Sequence, residues 1–196
     1  KGYQDAKVTV PKREQDNRSG AVDVELGVTL GSKYLVRSVR EQVFVEGAEK
    51  AEEVGVVYPN KPYSKLFLQD FTQGIKTNYY HQGHPDVTVE TKQLGTSVEA
   101  GATLVDLLAT VKTGPKVRIG KVGFRGEERT KPSLMARRVK IHEGNLLDPT
   151  LAEEGRFRLA ELGIFDSVKL RYEPDDEHTR DVTYDVHEGK TIDINL

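Results

Sequence analysis

Apolar residues alternate with polar ones over most of this chain, and the alternation stops and restarts at glycines. Val22, Val24, Leu26, Val28 and Leu30 fall on every second position, the period of a half-buried strand, and the run ends at Gly31. A new alternation opens with Tyr34 and Val36. "ATLVDLLATVKTGPKVRIG" repeats the event: its run ends at Gly114, and Val117 and Ile119 begin the next. In "RDVTYDVHEGKTI", Val182, Tyr184 and Val186 run up to Gly189, with Ile192 and Ile194 beyond. Between these strands the period changes. Leu68, Phe71, Ile75 and Tyr79 have helical spacing, with Ser64 as N-cap and Gly83 as the stop. Leu151, Leu159 and Leu162 mark a second helix behind Asp148 and Pro149, which suit the cap and the first helical position. "KPSLMARRVKI" predicts a shorter helix with Leu134, Met135 and Val139 inward, and "EKAEEVG" carries a weaker version of it.

One phrase recurs. "GYQDAKV", "GHPDVTV" and "GIFDSVKL" begin at Gly2, Gly83 and Gly163, about 80 residues apart, each with an aspartate three positions on (Asp5, Asp86, Asp166). "VFVEG" and "VGFRG", ending at Gly47 and Gly126, keep nearly the same spacing. Landmarks repeated in one order predict an α+β fold made of tandem repeats. Each repeat reads strand, helix, helix, strand, strand. Residues 34–114 form one such repeat and 115–196 another, while 1–33 hold the final hairpin of a preceding one. That hairpin lacks helices of its own, so its apolar face is expected to pack on the next repeat or a neighbouring molecule.

The ordered set resembles the POTRA (polypeptide-transport-associated) family. The residues that carry the likeness are "FRG" at 124–126, "HEGNLLD" at 142–148 and "RLAELGIFDSVKL" at 158–170, with "FVEG" at 44–47, "KPYS" at 61–64 and "NYYHQGHPDVTVE" at 78–90 in the middle repeat. The middle repeat departs in "EGAEKAEEVGVVYPN" and in a long "TKQLGTSVEAG" between its last two strands. The resemblance implies a three-stranded mixed sheet with two helices on one face in each repeat. It also implies a periplasmic array anchored in the bacterial outer membrane by a following β-barrel, as in barrel-assembly factors of the BamA and TamA type or two-partner secretion transporters. The implied partners are unfolded outer-membrane client chains and periplasmic accessory proteins or lipoproteins. A spacer or docking arm for folded partners alone is the alternative.

By the same resemblance the first strand after each Gly-x-x-Asp phrase lies at a sheet edge, where unpaired N–H and C=O groups can take an added strand. The client edge is then Val87, Thr88, Val89 and Glu90 in the middle repeat and Val168, Lys169, Leu170 and Arg171 in the last. Val87, Val89, Val168, Leu170 and Tyr172 should face the core. Lys169 and Arg171 are edge-blocking charges, which favours the Val87–Glu90 edge. The hinges between repeats are short: Gly31, Ser32, Lys33 and Gly114, Pro115, Lys116. Pro115 fixes one φ angle, so less bending is expected at 114–116.

Composition narrows the chemistry. A net charge of −2 with scattered basic residues argues against nucleic acid. The absence of cysteine rules out disulfides, thiolate catalysis and cysteine-held zinc. No run is long and apolar enough for a membrane helix, and no leader is visible. Because the chain starts beside a repeat phrase, it reads as part of something longer. His81 and His84 flank Gly83, which should break the helix between them, so no metal or other cofactor is expected. Gly120, Gly123 and Gly126 do not have phosphate-loop spacing, and Asn17 begins a chance glycosylation triplet. Asp5, Asp86 and Asp166 stand without a nucleophile or base nearby in sequence and are expected to be structural. The expectation is a binding array and not an enzyme.

Overall fold

The computed structural model describes residues 2–3, 5–16 and 18–189. The expectations on Asn17, Ile192 and Ile194 lie outside these. The described chain forms two compact units. The first holds residues 1–43, 50–73 and 89–111, and the second 44–49, 74–88 and the chain from 112 onward.

In the first unit β1 (Lys7–Gln15) and β2 (Val22–Thr29) make an antiparallel hairpin, with Val8 opposite Val28. The Asp16 carboxylate ties the turn by accepting from the Arg18 N–H and the Ser19 hydroxyl. Val8, Val10, Val22, Val24, Leu26 and Val28 all remain exposed. The first alternative expected for this face, packing on the next repeat, is therefore not found among the described residues.

A five-stranded sheet follows. It comprises β3 (Lys33–Phe44), β4 (Glu52–Val57), β5 (Lys61–Pro62), β6 (Thr88–Glu99) and β7 (Ala102–Lys112), in the order β4-β3-β7-β6 with β5 also on β3. Period two is preserved in the centre: Val105, Leu107, Ala109 and Val111 are buried, with Val36, Val39 and Val43 beside them on β3. Two expectations fail here. The weak helix near "EKAEEVG" is strand β4, because Val54, Val56 and Val57 are β-branched and Gly55 lies at φ +151°, a conformation closed to a helix. The long "TKQLGTSVEAG" is mostly strand β6, turned into β7 at Ala100 and Gly101, which both have positive φ as a two-residue hairpin turn requires.

Helix α1 (Lys65–His81) starts as expected, with the Ser64 hydroxyl accepting from the Phe67 N–H at 3.1 Å. It ends at Gly83, whose φ of +87° closes the helix while its N–H bonds the Tyr80 carbonyl.

The last repeat has the expected order: β8 (Arg118–Arg125), α2 (Pro132–Val139), α3 (Pro149–Ala160), β9 (Phe165–Pro174) and β10 (Thr179–Glu188). β10 is central, parallel to β8 and antiparallel to β9. Asp148 caps α3, accepting from the Thr150 and Leu151 N–H groups. Met135 and Val139 of α2 and Ala152 and Leu159 of α3 share one core with Val168, Val182, Tyr184 and Val186 of the sheet. The Tyr184 ring stacks on Phe124, and its hydroxyl donates to the Ala152 carbonyl at 2.9 Å. Burial in this core pushes the Tyr184 phenol well up.

Gly155 lets α2, α3 and β10 approach: a Cβ there would stand 2.6 Å from the Tyr184 hydroxyl and 3.1 Å from Val139. At the far end the Glu188 carboxylate accepts from the N–H groups of Glu128, Arg129 and Thr130 and pairs with the Arg129 guanidinium. Burial opposes its charge, yet the donors of Thr130 and Arg129 hold it down at about 2. Tyr172 corrects an expectation: the residue is 37% exposed and not core. Desolvation still pushes its phenol up to about 12, helped by Glu153 and Asp148.

Candidate binding edges and repeat joints

The two stretches expected to take a client strand both stand at sheet ends. β6 is an end strand of the five-stranded sheet and β9 of the three-stranded one. Val87 is buried just before β6 begins, Thr88 and Glu90 are exposed, and Val89 is half-buried. In β9, Val168 is buried, Leu170 half-buried, and Lys169 and Arg171 exposed. A strand turns about half of its N–H and C=O groups to each side, so the twelve-residue β6 offers the longer edge. The guanidinium of Arg171 pairs with Asp185 on the central strand β10.

The recurrent phrase has a structural meaning that spacing alone did not reveal. In the first copy the Gly2 carbonyl accepts the Tyr34 N–H at 2.7 Å, three residues after Gly31. Asp5 packs on Gly31, where a Cβ would lie 3.0 Å away, and accepts the Tyr34 hydroxyl at 3.3 Å. In the second copy the Gly83 carbonyl accepts the Val117 N–H at 2.8 Å, three residues after Gly114. Asp86 packs on Gly114, and a Cβ on Gly83 would meet Leu146 at 2.9 Å.

The phrase is therefore a seat. In these two copies the glycine, at positive φ, presents its carbonyl to the start of the following repeat, and the aspartate packs at the junction glycine. In the third copy Asp166 again packs on a glycine, Gly189, whose N–H bonds the Ile164 carbonyl.

The second seat carries more polar contacts than the first. Arg180 of β10 donates two hydrogen bonds to Asp86, one of them 2.8 Å to Oδ1, and the pair raises the arginine's pKa. His84 Nδ1 meets the Gly114 carbonyl at 3.1 Å. His81 pairs with the Oδ2 of Asp148, whose other oxygen caps α3, so one buried carboxylate serves both a helix start and the seat. Among the described residues no group of three or more potential metal ligands surrounds His81, His84 or any other point. Sequence reasoning missed Arg180 and Asp148 as members of the seat, because both lie more than sixty residues from the phrase they meet.

Among the described residues there is no convergent acid, base and nucleophile. In the first unit a polar cluster joins Arg37 with Asp106, Ser97 and Glu99. Arg37 and Ser38 lower the Asp106 carboxyl, the behaviour of a satisfied surface ion pair. No helix is long and apolar enough to cross a membrane, which says nothing of a β-barrel.

Comparison with known proteins agrees with this architecture. Residues 117–189 match the family described as "POTRA: Surface antigen variable number repeat". The chain is 20% identical to the solved POTRA3-5 fragment of BamA from Haemophilus influenzae, covering 95% of this chain and 74% of that one at a TM-score of 0.59. BamA from Haemophilus ducreyi lacking POTRA domains 1–3 gives a TM-score of 0.58 at 19% identity, over 66% of this chain and 24% of that one. In fold, then, the chain is similar to the solved tandem POTRA fragments, and its residues 117–189 match that family.

In sequence, 92 residues are 32% identical to the outer membrane protein assembly factor BamA of Neorickettsia risticii (strain Illinois), 47% of this chain. The chain spans 12% of that relative's length.

Proposed function

We propose that this chain is the periplasmic part of an outer-membrane barrel-assembly factor, a non-enzymatic array that receives extended client chains and accessory proteins. Three observations support this reading. The fold is a POTRA array, the sequence is related to a BamA, and two edge strands stand at sheet ends where a further strand can pair. The position of β6 at a sheet end carries most weight, since it offers a long edge with exposed Thr88 and Glu90 and little side-chain specificity. We take 1–33, 34–114 and 115–196 as the functional divisions, with a barrel following in the parent protein.

The test is an amide-resonance titration with a synthetic ten-residue strand from an outer-membrane barrel. Shifts should concentrate on 88–99, with weaker ones on 165–174. Proline at Thr88 or Val89 removes an outward N–H in one of the two and should weaken binding in that variant alone. Shifts at neither edge would overturn strand pairing.

The seats favour a second, compatible role as a stiff arm. The bidentate Arg180–Asp86 pair restrains the 114–116 junction more than the single Tyr34–Asp5 hydrogen bond restrains 31–33. Paired spin labels should give a narrower distance distribution across 114–116, and equal widths would overturn that ordering.

A further inference from the structure

The edge of β9 differs from that of β6 in how little of it is free. Its register against β10 runs without a shift from Pro174 opposite Arg180 to Ser167 opposite His187. A proline has no N–H to give, so in a strand it sits where that side faces away from the neighbour. Pro174 therefore faces the free edge, and by alternation so do the N–H and C=O groups of Tyr172, Leu170 and Val168. The Val168 carbonyl is already met by the Arg156 guanidinium at 3.5 Å. An added strand is left with Leu170 and Tyr172 as full partners, a ladder too short to hold it by backbone alone. Side chains must supply the rest, and a place for them lies at that end of β9. Pro115, Tyr172, Pro174 and Arg180 line a cleft of about 380 Å³ together with Asp176 and Glu177. The core covers Val168, with Leu170 packed against it, and leaves Tyr172 exposed beside this cleft. Arg180 is paired with Asp86 and adds no free positive charge. Asp176 accepts the His178 N–H, and Glu177 has no hydrogen bond or ion pair among the described residues. Lys169 and Arg171 alternate to the other face of the strand, where Arg171 is paired with Asp185. The free charge of the cleft is therefore negative, and its walls are an aromatic ring and two prolines.

We propose that the β9 edge binds an extended, arginine-bearing segment of an accessory protein, its guanidinium laid on the Tyr172 ring between Pro115 and Pro174 and paired with Glu177. A planar cation suits both halves of this cleft, since it stacks on an aromatic face and pairs with a carboxylate at once. The proposal rests on strand pairing as the mode of binding and gives the two edges different occupants. The twelve-residue β6 holds varied chains through its backbone, whereas β9 selects one kind of segment through a side chain.

The probes are two ten-residue peptides of alternating threonine and valine, one with a central arginine and one with glutamate in its place, each titrated into the isotope-labelled chain. The arginine peptide should shift amides at 168–180 and at Lys116, and the glutamate peptide should leave them in place. Glu177→Lys, in the exposed bend 175–178, should weaken the arginine peptide there by about fivefold and admit the glutamate peptide, with the 88–99 shifts of both unchanged. Three results would overturn arginine selection and leave strand pairing standing: equal shifts at 168–180 from both peptides, shifts of both confined to 88–99, or no response to Glu177→Lys. Shifts at neither edge would overturn both.

Discussion

The middle and last repeats begin from the same landmarks and cover their sheets differently. Both place a glycine at the end of the long helix, an aspartate three residues later, and an edge strand after it. The last repeat then buries its sheet under two helices, with Met135, Val139, Ala152 and Leu159 in one core. The middle repeat converts its first helix into strand β4 and widens the sheet to five strands, leaving α1 with Ile75 as its one buried residue among the described. The joints at 31–33 and 114–116 share a backbone hydrogen bond because it is made at the phrase glycines. Coverage is not shared, because it depends on which side chains a local segment offers. A repeat of this kind can therefore keep its place in the chain while the cover over its sheet changes.

The largest test of that contrast is truncation of the covering helix. Met135→Ala removes a fully buried side chain and should cost about 2–5 kcal/mol, read as loss of the last repeat's melting transition. Leu66→Ala on the exposed side of α1 should change stability by less than about 0.5 kcal/mol. Comparable losses would mean that this side of α1 is covered too.

A sharper form uses one substitution in both helices. Gly155→Ala should destabilise by about 1–3 kcal/mol, since the new methyl meets the Tyr184 hydroxyl and Val139. Gly74→Ala should stabilise by about 0.5–1 kcal/mol, since space is open and alanine is the better helix former. Denaturant midpoints of the two variants moving the same way would break the comparison.

The seats should respond more weakly. Arg180→Ala removes a partly exposed pair and should cost about 0.2–1 kcal/mol, while visibly broadening spin-label distances across 114–116. Tyr34→Phe at the other seat should broaden those across 31–33 less.

One effect appears only in acid. Glu188 is held at about 2, below its ordinary 4.5, so its contribution to stability is fully present above about 4.5 and is lost as the pH falls from there toward 2. Thermal melts of the last repeat should show this slope, and Glu188→Gln should flatten it.

Much of this protein was determined by its sequence alone. Strand alternation, the caps at Ser64 and Asp148, and the helix stop at Gly83 are local events: each is settled within a few residues by side-chain shape and backbone allowance, and each stands in the structure. The recurrence of Gly-x-x-Asp gave the repeat order for the same reason. Tertiary structure decided the rest. "EKAEEVGVV" could have paired with α1 as a helix, but its valines found the open side of β3. Tyr172 kept to the alternation and still ended 37% exposed. Asp86 waited for Arg180, ninety-four residues away, to become part of a joint. Such partners are chosen by proximity in space, and a burial or an ion pair gains its energy only from groups the whole fold brings together, so no local pattern could have marked them.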